Sequence, residues 1–316
     1  MGCPAEWSAS VPGMDTLAGR PAPAKPALLD AKLDRRLRRD GFVKVRVLGA
    51  TEAAELRSQY GQIHGWSGDG FEVDFWSDDD HYRRRASEVI SEAVDEPLSA
   101  LFRGYRPFLR NYLVKWPGER EANGFPEGPH RDWMYTDERA GQRSYVAWIA
   151  LEDITGHNGQ LRVVRGSHQL DDALRGTNIV TPWLEDSDPW NERMVSVPVL
   201  AGEAVITDAA TVHGSYFNLT DAPRVAAAVA MAPTSAPLVH YRYTGDDDTA
   251  QRFDVDESFF VSQSAPGLLV EPPNRPSPGI EPIRSRHLAA RDMASTLDRR
   301  PLALADRLVA RVRGHG

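Results

Sequence analysis

Nine histidines occur in this chain, and only His130 is followed two positions later by a carboxylate, Asp132. In an extended strand residues i and i+2 share a face, so both side chains can reach one ion. His213, in the run VHGSYF, follows the apolar stretch 204–206 just past a turn, where a strand end projects it inward. Two histidines and one carboxylate on one face leave three corners of an octahedron open. That is the facial triad of non-haem iron(II), whose open positions admit a bidentate cosubstrate and dioxygen. Zinc prefers a closed tetrahedral shell or a single open site. A zinc or manganese isomerase of the cupin type would want three histidines.

The elements that must position these residues fall into two textures. Leu29, Leu33 and Leu37 recur at spacing four and stop at Gly41, which predicts a short helix. Val43, Val45 and Val47 alternate with Lys44 and Arg46, the period of a half-buried strand. Thr51 is the expected N-cap of a second helix, with Ala53, Leu56, Tyr60 and Ile63 on its apolar face and an end near Gly65. A third helix is expected over 83–96, stopped by Pro97. After residue 108 the texture becomes β, with candidate strands 109–116, 144–151, 161–164, 194–200, 203–208, 213–217 and 224–232. Trp-Pro-Gly at 116–118 and Asn-Gly at 158–159 supply turns between them. Helices first and then many short strands predict a mainly β fold with flanking helices, its core a distorted double-stranded β-helix of the jelly-roll or cupin kind. The expected division is a flexible arm over 1–25, one catalytic domain over 26–290 with its β-helix at about 108–235, and a basic helical tail over 291–316. In that tail Leu288, Met293, Leu297, Leu302 and Leu308 are available for packing. Residues 245–282, rich in Asp, Pro and Ser, read as irregular loops.

Composition narrows the class. With 316 residues, 41% hydrophobic and 26% charged, the chain is ordinary globular material. Forty-five acidic against 37 basic side chains give a net charge of −8, which repels phosphate backbones and argues against nucleic acid as a partner. The single cysteine, Cys3, permits neither an intramolecular disulfide nor a cysteine-rich zinc site. The opening MGCPAEWSAS lacks the features of a secretory signal, Glu6 breaks the myristoylation pattern, and no run approaches 18 apolar residues. A cytoplasmic protein with a small-molecule substrate and no membrane partner is expected.

Four motifs carry a resemblance. GPHRDW, SYVAWIALEDIT, NGQLRVVRGSH and GEAVITDAATVHGSYFNLTDAPR, in this order and spacing, resemble the phytanoyl-CoA dioxygenase family of iron(II)/2-oxoglutarate oxygenases. The earlier stretch LRRDGFVKVRVLGATEAAELRSQYGQIHG is similar to that family's N-terminal region, so the likeness covers about 28–235. It implies iron(II) held by His130, Asp132 and His213, with 2-oxoglutarate and O2 as cosubstrates. It further implies that Arg224, eleven residues after His213, takes the far carboxylate of 2-oxoglutarate in a fork that lysine cannot copy. Ser215 matches the serine sharing that carboxylate, Trp148 a tryptophan lining the cosubstrate pocket, and Asn111 the amide beside the keto-acid end. Two departures stand out: the family's Pro-Gly-Ser-His is Arg165-Gly166-Ser167-His168 here, and Gln160 follows Asn-Gly. His168 is expected to be structural. Halogenating relatives carry Gly or Ala in place of the metal carboxylate, so Asp132 favours hydroxylation.

The expected reaction is hydroxylation of an aliphatic C–H of a small molecule, as in natural-product tailoring. Desaturation, cyclisation, epimerisation or acyl-CoA/lipid hydroxylation by the same chemistry, and a non-catalytic jelly-roll binder, are the alternatives. Trp133, Tyr135, Lys115 and Arg131 flank the iron motif and are expected at the pocket mouth, where the two cations would favour an anionic substrate. Phe71, Phe75 and Trp76 are expected to form a lid. The acidic runs 78–80 and 246–248 read as solvated loops.

Overall fold

The computed structural model describes residues 20, 21, 23, 25–118, 128–245, 248–284 and 289–298. The order is α1 (Ala31–Asp40), β1 (Phe42–Arg46), α2 (Ala50–Ile63), β2 (Phe71–Val73), α3 (Asp80–Ser99), β3 (Tyr105–Lys115), β4 (Tyr145–Ala150) and β5 (Leu161–Val164). Then follow α4 (Asp188–Asn191), β6 (Met194–Ser196), β7 (Glu203–Asp208), β8 (His213–Ser215), β9 (Arg224–Pro233), β10 (Leu238–Tyr243) and β11 (Thr249–Val255). The short helices α5 (Glu257–Ser262) and α6 (Ala265–Val270), β12 (Gly279–Pro282) and α7 (Ala290–Asp298) complete the series.

A six-stranded sheet of order β1-β7-β4-β9-β3-β2 faces a three-stranded sheet β6-β5-β8, every pairing antiparallel. This is the expected jelly-roll core with flanking helices. The strand period of two divides the large sheet cleanly. Val225, Ala227, Val229 and Met231 of β9, with Tyr112 and Val114 of β3, pack in one cluster with Val89, Ile90 and Leu98 of α3. The alternate residues Asn111, Leu113, Ala228 and Ala230 turn to the other face and line a cavity. Between the sheets, Trp148, Leu161, Val163, Val205 and Ala226 form a second cluster.

Local chemistry accounts for the helix ends. Asp30 caps α1 by accepting from the Lys32 and Leu33 amides, and Gly41 closes it at φ 84°, a left-handed backbone that suits glycine. A Cβ on Gly41 would also lie 2.6 Å from Nδ1 of His168. For α2 the cap is Gly49, not Thr51. The Glu52 carboxylate accepts the Gly49 N–H at 2.6 Å, drawing Thr51 into the helix. Pro97 does not stop α3, which starts at Asp80 and runs to Ser99. Sitting in the last turn, the proline forfeits one helical bond, while Ala100 N–H still reaches the Glu96 carbonyl at 3.0 Å.

Three other expectations are corrected. The stretch 245–282 is not all loop: β11 pairs with β10 and β12 in a further three-stranded sheet, followed by α5 and α6. Strand β3 begins at Tyr105, ahead of the expected 109, with a register shift between Pro107 and Leu109 that accommodates the proline. Arg20, expected on a mobile arm, is buried and ion-paired. Met293 and Leu297 of α7 pack against Trp183 and Trp190 as expected, whereas Leu288, Leu302 and Leu308 lie outside the described residues. Among the described residues no helix is long and apolar enough to cross a membrane.

Candidate metal centre

His130 and His213 face each other as an isolated antiparallel bridge, each backbone N–H donating to the other's carbonyl at 2.9 Å. His213 opens β8, and His130 begins the irregular segment that carries Asp132. The two imidazole centroids are 4.2 Å apart, and Nε2 of His213 lies 3.9 Å from Oδ1 of Asp132. One ligand atom from each of the three side chains lies within 4.8 Å of the other two. Nδ1 of His130 donates to the Gly128 carbonyl at 3.0 Å, and Nδ1 of His213 to the Thr211 carbonyl at 2.9 Å. Those bonds fix the tautomer and leave both Nε2 lone pairs for the shared centre. Oδ2 of Asp132 is buried with no hydrogen-bond partner among the described residues.

Electrostatics suit a cation. Burial pushes His130 down to about 4 and holds His213 below the usual imidazole range, so both are neutral near pH 7, the form that ligates. Burial also raises Asp132 to about 6. His130, Asp132 and His213, which the sequence singled out, are held close, desolvated and left with donor atoms that could hold one metal ion.

The triad lines a cavity of about 340 Å³. Arg224, Ser215, Trp148 and Asn111 line it too. Arg224 is 1% exposed, its guanidinium 5.3 Å from the Trp148 ring centre, with Nη1 donating to the Leu113 carbonyl at 3.4 Å. Gly159, at φ 79°, lets the loop close over it: a Cβ there would stand 2.8 Å from Cδ of Lys115 and 3.3 Å from Nε of Arg224. Of the residues expected at the mouth, Trp133, Tyr135 and Arg131 line the cavity, and so do Phe71, Phe75 and Trp76, which were expected as a lid. Arg131 is already engaged, donating to Asp171 at 2.7 Å and stacked 4.6 Å over Trp183. Lys115 corrects the expectation. It is fully buried and absent from the lining, and its ammonium donates to the Tyr216 carbonyl at 2.9 Å. It shares the cavity-side face of β3 but lies past the cavity's end, under Gly159.

Of the departures from the family pattern, Arg165 opens the turn after β5, 3.6 Å from Asp40, and Gln160 precedes β5, its carbonyl accepting the Tyr216 N–H at 3.0 Å. Ser167 Oγ donates to the Val164 carbonyl at 2.7 Å and accepts the Val212 N–H at 2.8 Å, tying β5 to the residue before His213. His168 is buried against the Arg38 carbonyl, 3.0 Å from Nε2, as its structural reading requires. Asp79 caps α3 and Asp80 pairs with Arg83 and Arg84, while positions 246 and 247 lie outside the described residues. Sequence reasoning missed Thr207 on the cavity wall, and also Arg175 and Glu138. Arg175 donates to the Asp132 carbonyl at 2.8 Å and to both Glu138 oxygens at 2.8 and 3.0 Å. No motif links an arginine to a glutamate 37 positions away.

The strip 71–76 separates this cavity from a second, of about 810 Å³, lined by Tyr60, His64, Tyr82 and Asp74 among others. Asp74 accepts from Tyr82 Oη at 2.5 Å and the Tyr112 N–H at 2.6 Å, and burial still raises it to about 7. An unfolded aspartate ionises near ~4. The folded state therefore holds the extra proton between about 4 and about 7, and stability falls with rising pH across that window. Asp74→Asn removes this loss. The rotatable Tyr82 hydroxyl accepts the new amide N–H, and the amide oxygen serves Tyr112. Thermal melts should show the variant gaining on the parent from about pH 4 to about pH 7 and holding level above. A pH-independent difference would mean Asp74 is not protonated in the fold.

Comparison with known proteins gives concordant results. The phytanoyl-CoA dioxygenase (PhyH) family model matches residues 37–226. Phytanoyl-CoA dioxygenase domain-containing protein 1 of Danio rerio is 30% identical over 120 residues, 36% of this chain and 40% of that protein. A phytanoyl-CoA dioxygenase of Arabidopsis thaliana is 34% identical over 120 residues, 36% of this chain and 39% of its own length. The matches thus span about two-fifths of either relative. Among solved structures, the non-heme alpha ketoglutarate dependent carbocyclase SnoK from nogalamycin biosynthesis superposes with a TM-score of 0.50 at 21% identity. It covers 68% of this chain and 89% of that one, a likeness of fold.

Proposed function

Because the chain belongs to the phytanoyl-CoA dioxygenase family, we propose that it is an iron(II)- and 2-oxoglutarate-dependent oxygenase that hydroxylates an aliphatic C–H of a small molecule. The observation that carries this reading is the convergence of His130, Asp132 and His213 on one wall of a cavity that also holds Arg224. The residues fit the ion: two Nε2 atoms freed by their Nδ1 bonds and one buried, unbonded carboxylate oxygen are a hard and borderline donor set with room for further ligands. Iron bound there supplies the oxygen-activating redox chemistry.

The chain's own part is binding, orientation and exclusion of water. Arg224 and Ser215 take the far carboxylate of 2-oxoglutarate, with Trp148 as wall and Asn111 beside the keto-acid end. Phe71, Val73, Phe75, Trp76, Trp133 and Tyr135 form an apolar surface beside the ligands, the lining expected of a site that buries a small ligand. Arg131 is neutralised by Asp171 and Lys115 lies outside the lining, so this wall offers no spare cation to the phosphates of an acyl-CoA. A neutral, largely apolar substrate fits better than the anionic one that those two cations suggested, and such a substrate suits natural-product tailoring.

The test is anaerobic reconstitution with iron(II), followed by 2-oxoglutarate, oxygen and a panel of neutral ring-bearing compounds. Succinate should appear only when metal, cosubstrate and oxygen are all present, and a hydroxylated product should accompany it. A desaturated, cyclised or epimerised product would keep the cofactor assignment and change the outcome. Saturable 2-oxoglutarate binding with no succinate under any condition would make the protein a binder.

A further inference from the structure

The metal ligands rest on a buried ionic cluster that reaches back to Arg20, a residue outside the family-matched span 37–226. Two chains of contacts meet at its guanidinium. In the first, Arg20 pairs with Glu138 at 2.5 Å, Glu138 accepts both bonds from Arg175, and Arg175 donates Nε to the Asp132 carbonyl. The Arg175 carbonyl in turn accepts the Met134 N–H at 3.0 Å, so this arginine grips the ligand segment on both sides. In the second chain, Arg20 pairs with Asp208 at 2.5 Å. Asp208 orders the turn after β7, its Oδ1 accepting the Ala210 N–H at 2.9 Å and its carbonyl the Thr211 N–H at 2.8 Å. The Thr211 carbonyl then accepts Nδ1 of His213. The side chains of Arg20 and Glu138 are each 1% exposed and that of Asp208 5%, so solvent screens none of these contacts.

We propose that Arg20 is a positioning residue for the metal centre, coupling the segment that bears Asp132 to the turn that bears His213. The inference rests on the reading of these side chains as metal ligands. Its physical basis is charge as well as geometry. Glu138 and Asp208 are buried carboxylates whose charges both act on Asp132. Arg20 bridges the two, and its loss leaves Glu138 to Arg175 alone and Asp208 to the more distant Arg143, with the repulsion between the carboxylates unbridged, which displaces the supports of two ligands together. Arg143 stands near Asp208 at 4.0 Å and donates to the Pro21 carbonyl, so it holds the same strap but does not bridge the carboxylates.

The experiment titrates cobalt(II), as a spectroscopic probe, into the full-length metal-free protein, with thermal melts run alongside. In Arg20→Ala the cobalt affinity is expected to fall ~10-fold or more, the scale of losing a partner that orients metal ligands. The fall should be seen at temperatures where circular dichroism shows the variant folded. Arg20→Lys keeps the charge but not the fork, and should recover part of the affinity. A purely structural residue would lower the melting temperature and leave affinity within about twofold of the parent, and that result overturns the proposal. If Arg20→Ala does not fold, the double variant Arg20→Gln with Asp208→Asn removes the unpaired charge and is read by the same criterion. Failure of the parent protein itself to bind cobalt would instead overturn the metal reading.

Discussion

Asp132→Ala should yield a folded protein that has lost metal binding and turnover together. In the proposed site the carboxylate is one of three ligands, so the expected drop in iron(II) affinity exceeds the ~10–100-fold attached to losing an outer partner. Stability should not fall with it. Oδ2 of Asp132 is buried without a hydrogen-bond partner among the described residues, and burial holds the group at about 6, so near pH 7 the folded state carries an ionised carboxylate that the unfolded state would solvate better. Removing it removes that cost. In metal-free buffer the variant should melt no lower than the parent, and iron(II) should raise the melting temperature of the parent alone. Retained hydroxylation, or a melting temperature that still rises with iron, would take Asp132 out of the site.

Arg224→Ala should raise the 2-oxoglutarate concentration needed for half-maximal rate by ~10²-fold or more, the cost of breaking a buried charge-paired contact. The effect should sit in the requirement for cosubstrate, with metal affinity little changed, because Arg224 enters from β9 and the ligands from other segments. Direct calorimetric titration of 2-oxoglutarate into the metal-loaded protein measures the same loss without turnover. Arg224→Lys should recover only part, since an ammonium cannot fork to a carboxylate as the guanidinium over Trp148 can. An unaltered 2-oxoglutarate affinity in the alanine variant would move the anchor elsewhere.

Much of this site was legible because its grammar is local. The two-residue spacing of His130 and Asp132 marked the pair, although the segment that carries them is irregular and not a strand, and the motifs around them marked the residues that share the cavity. Lys115 was expected at the pocket mouth, and nothing in the sequence shows that the strand outruns the cavity there. Where the outcome turned on distant partners, the sequence was silent. Arg131 reads as a free cation until Asp171 and Trp183 are seen against it. Glu138, Arg175 and Arg20 carry no periodic or motif signal, because ion pairs between loops impose no spacing on the chain. Strand β11 was hidden for another reason: TAQRFDV buries Ala250 and Phe253 amid polar neighbours, so its alternation is weak. Helix α3 outlasts Pro97 because a last-turn proline costs only one bond, a cost its packed apolar face outweighs.

The strip 71–76 is a partition, with a room on each side. Phe71, Val73 and Trp76 face both, and none of them lies on the segments that carry His130, Asp132, His213 or Arg224. Substitutions in this stretch therefore reshape part of the cavity wall while leaving the proposed metal and 2-oxoglutarate residues in place. A lineage, or an engineer, can trade a bulky partition residue for a small one and open the smaller room into the larger.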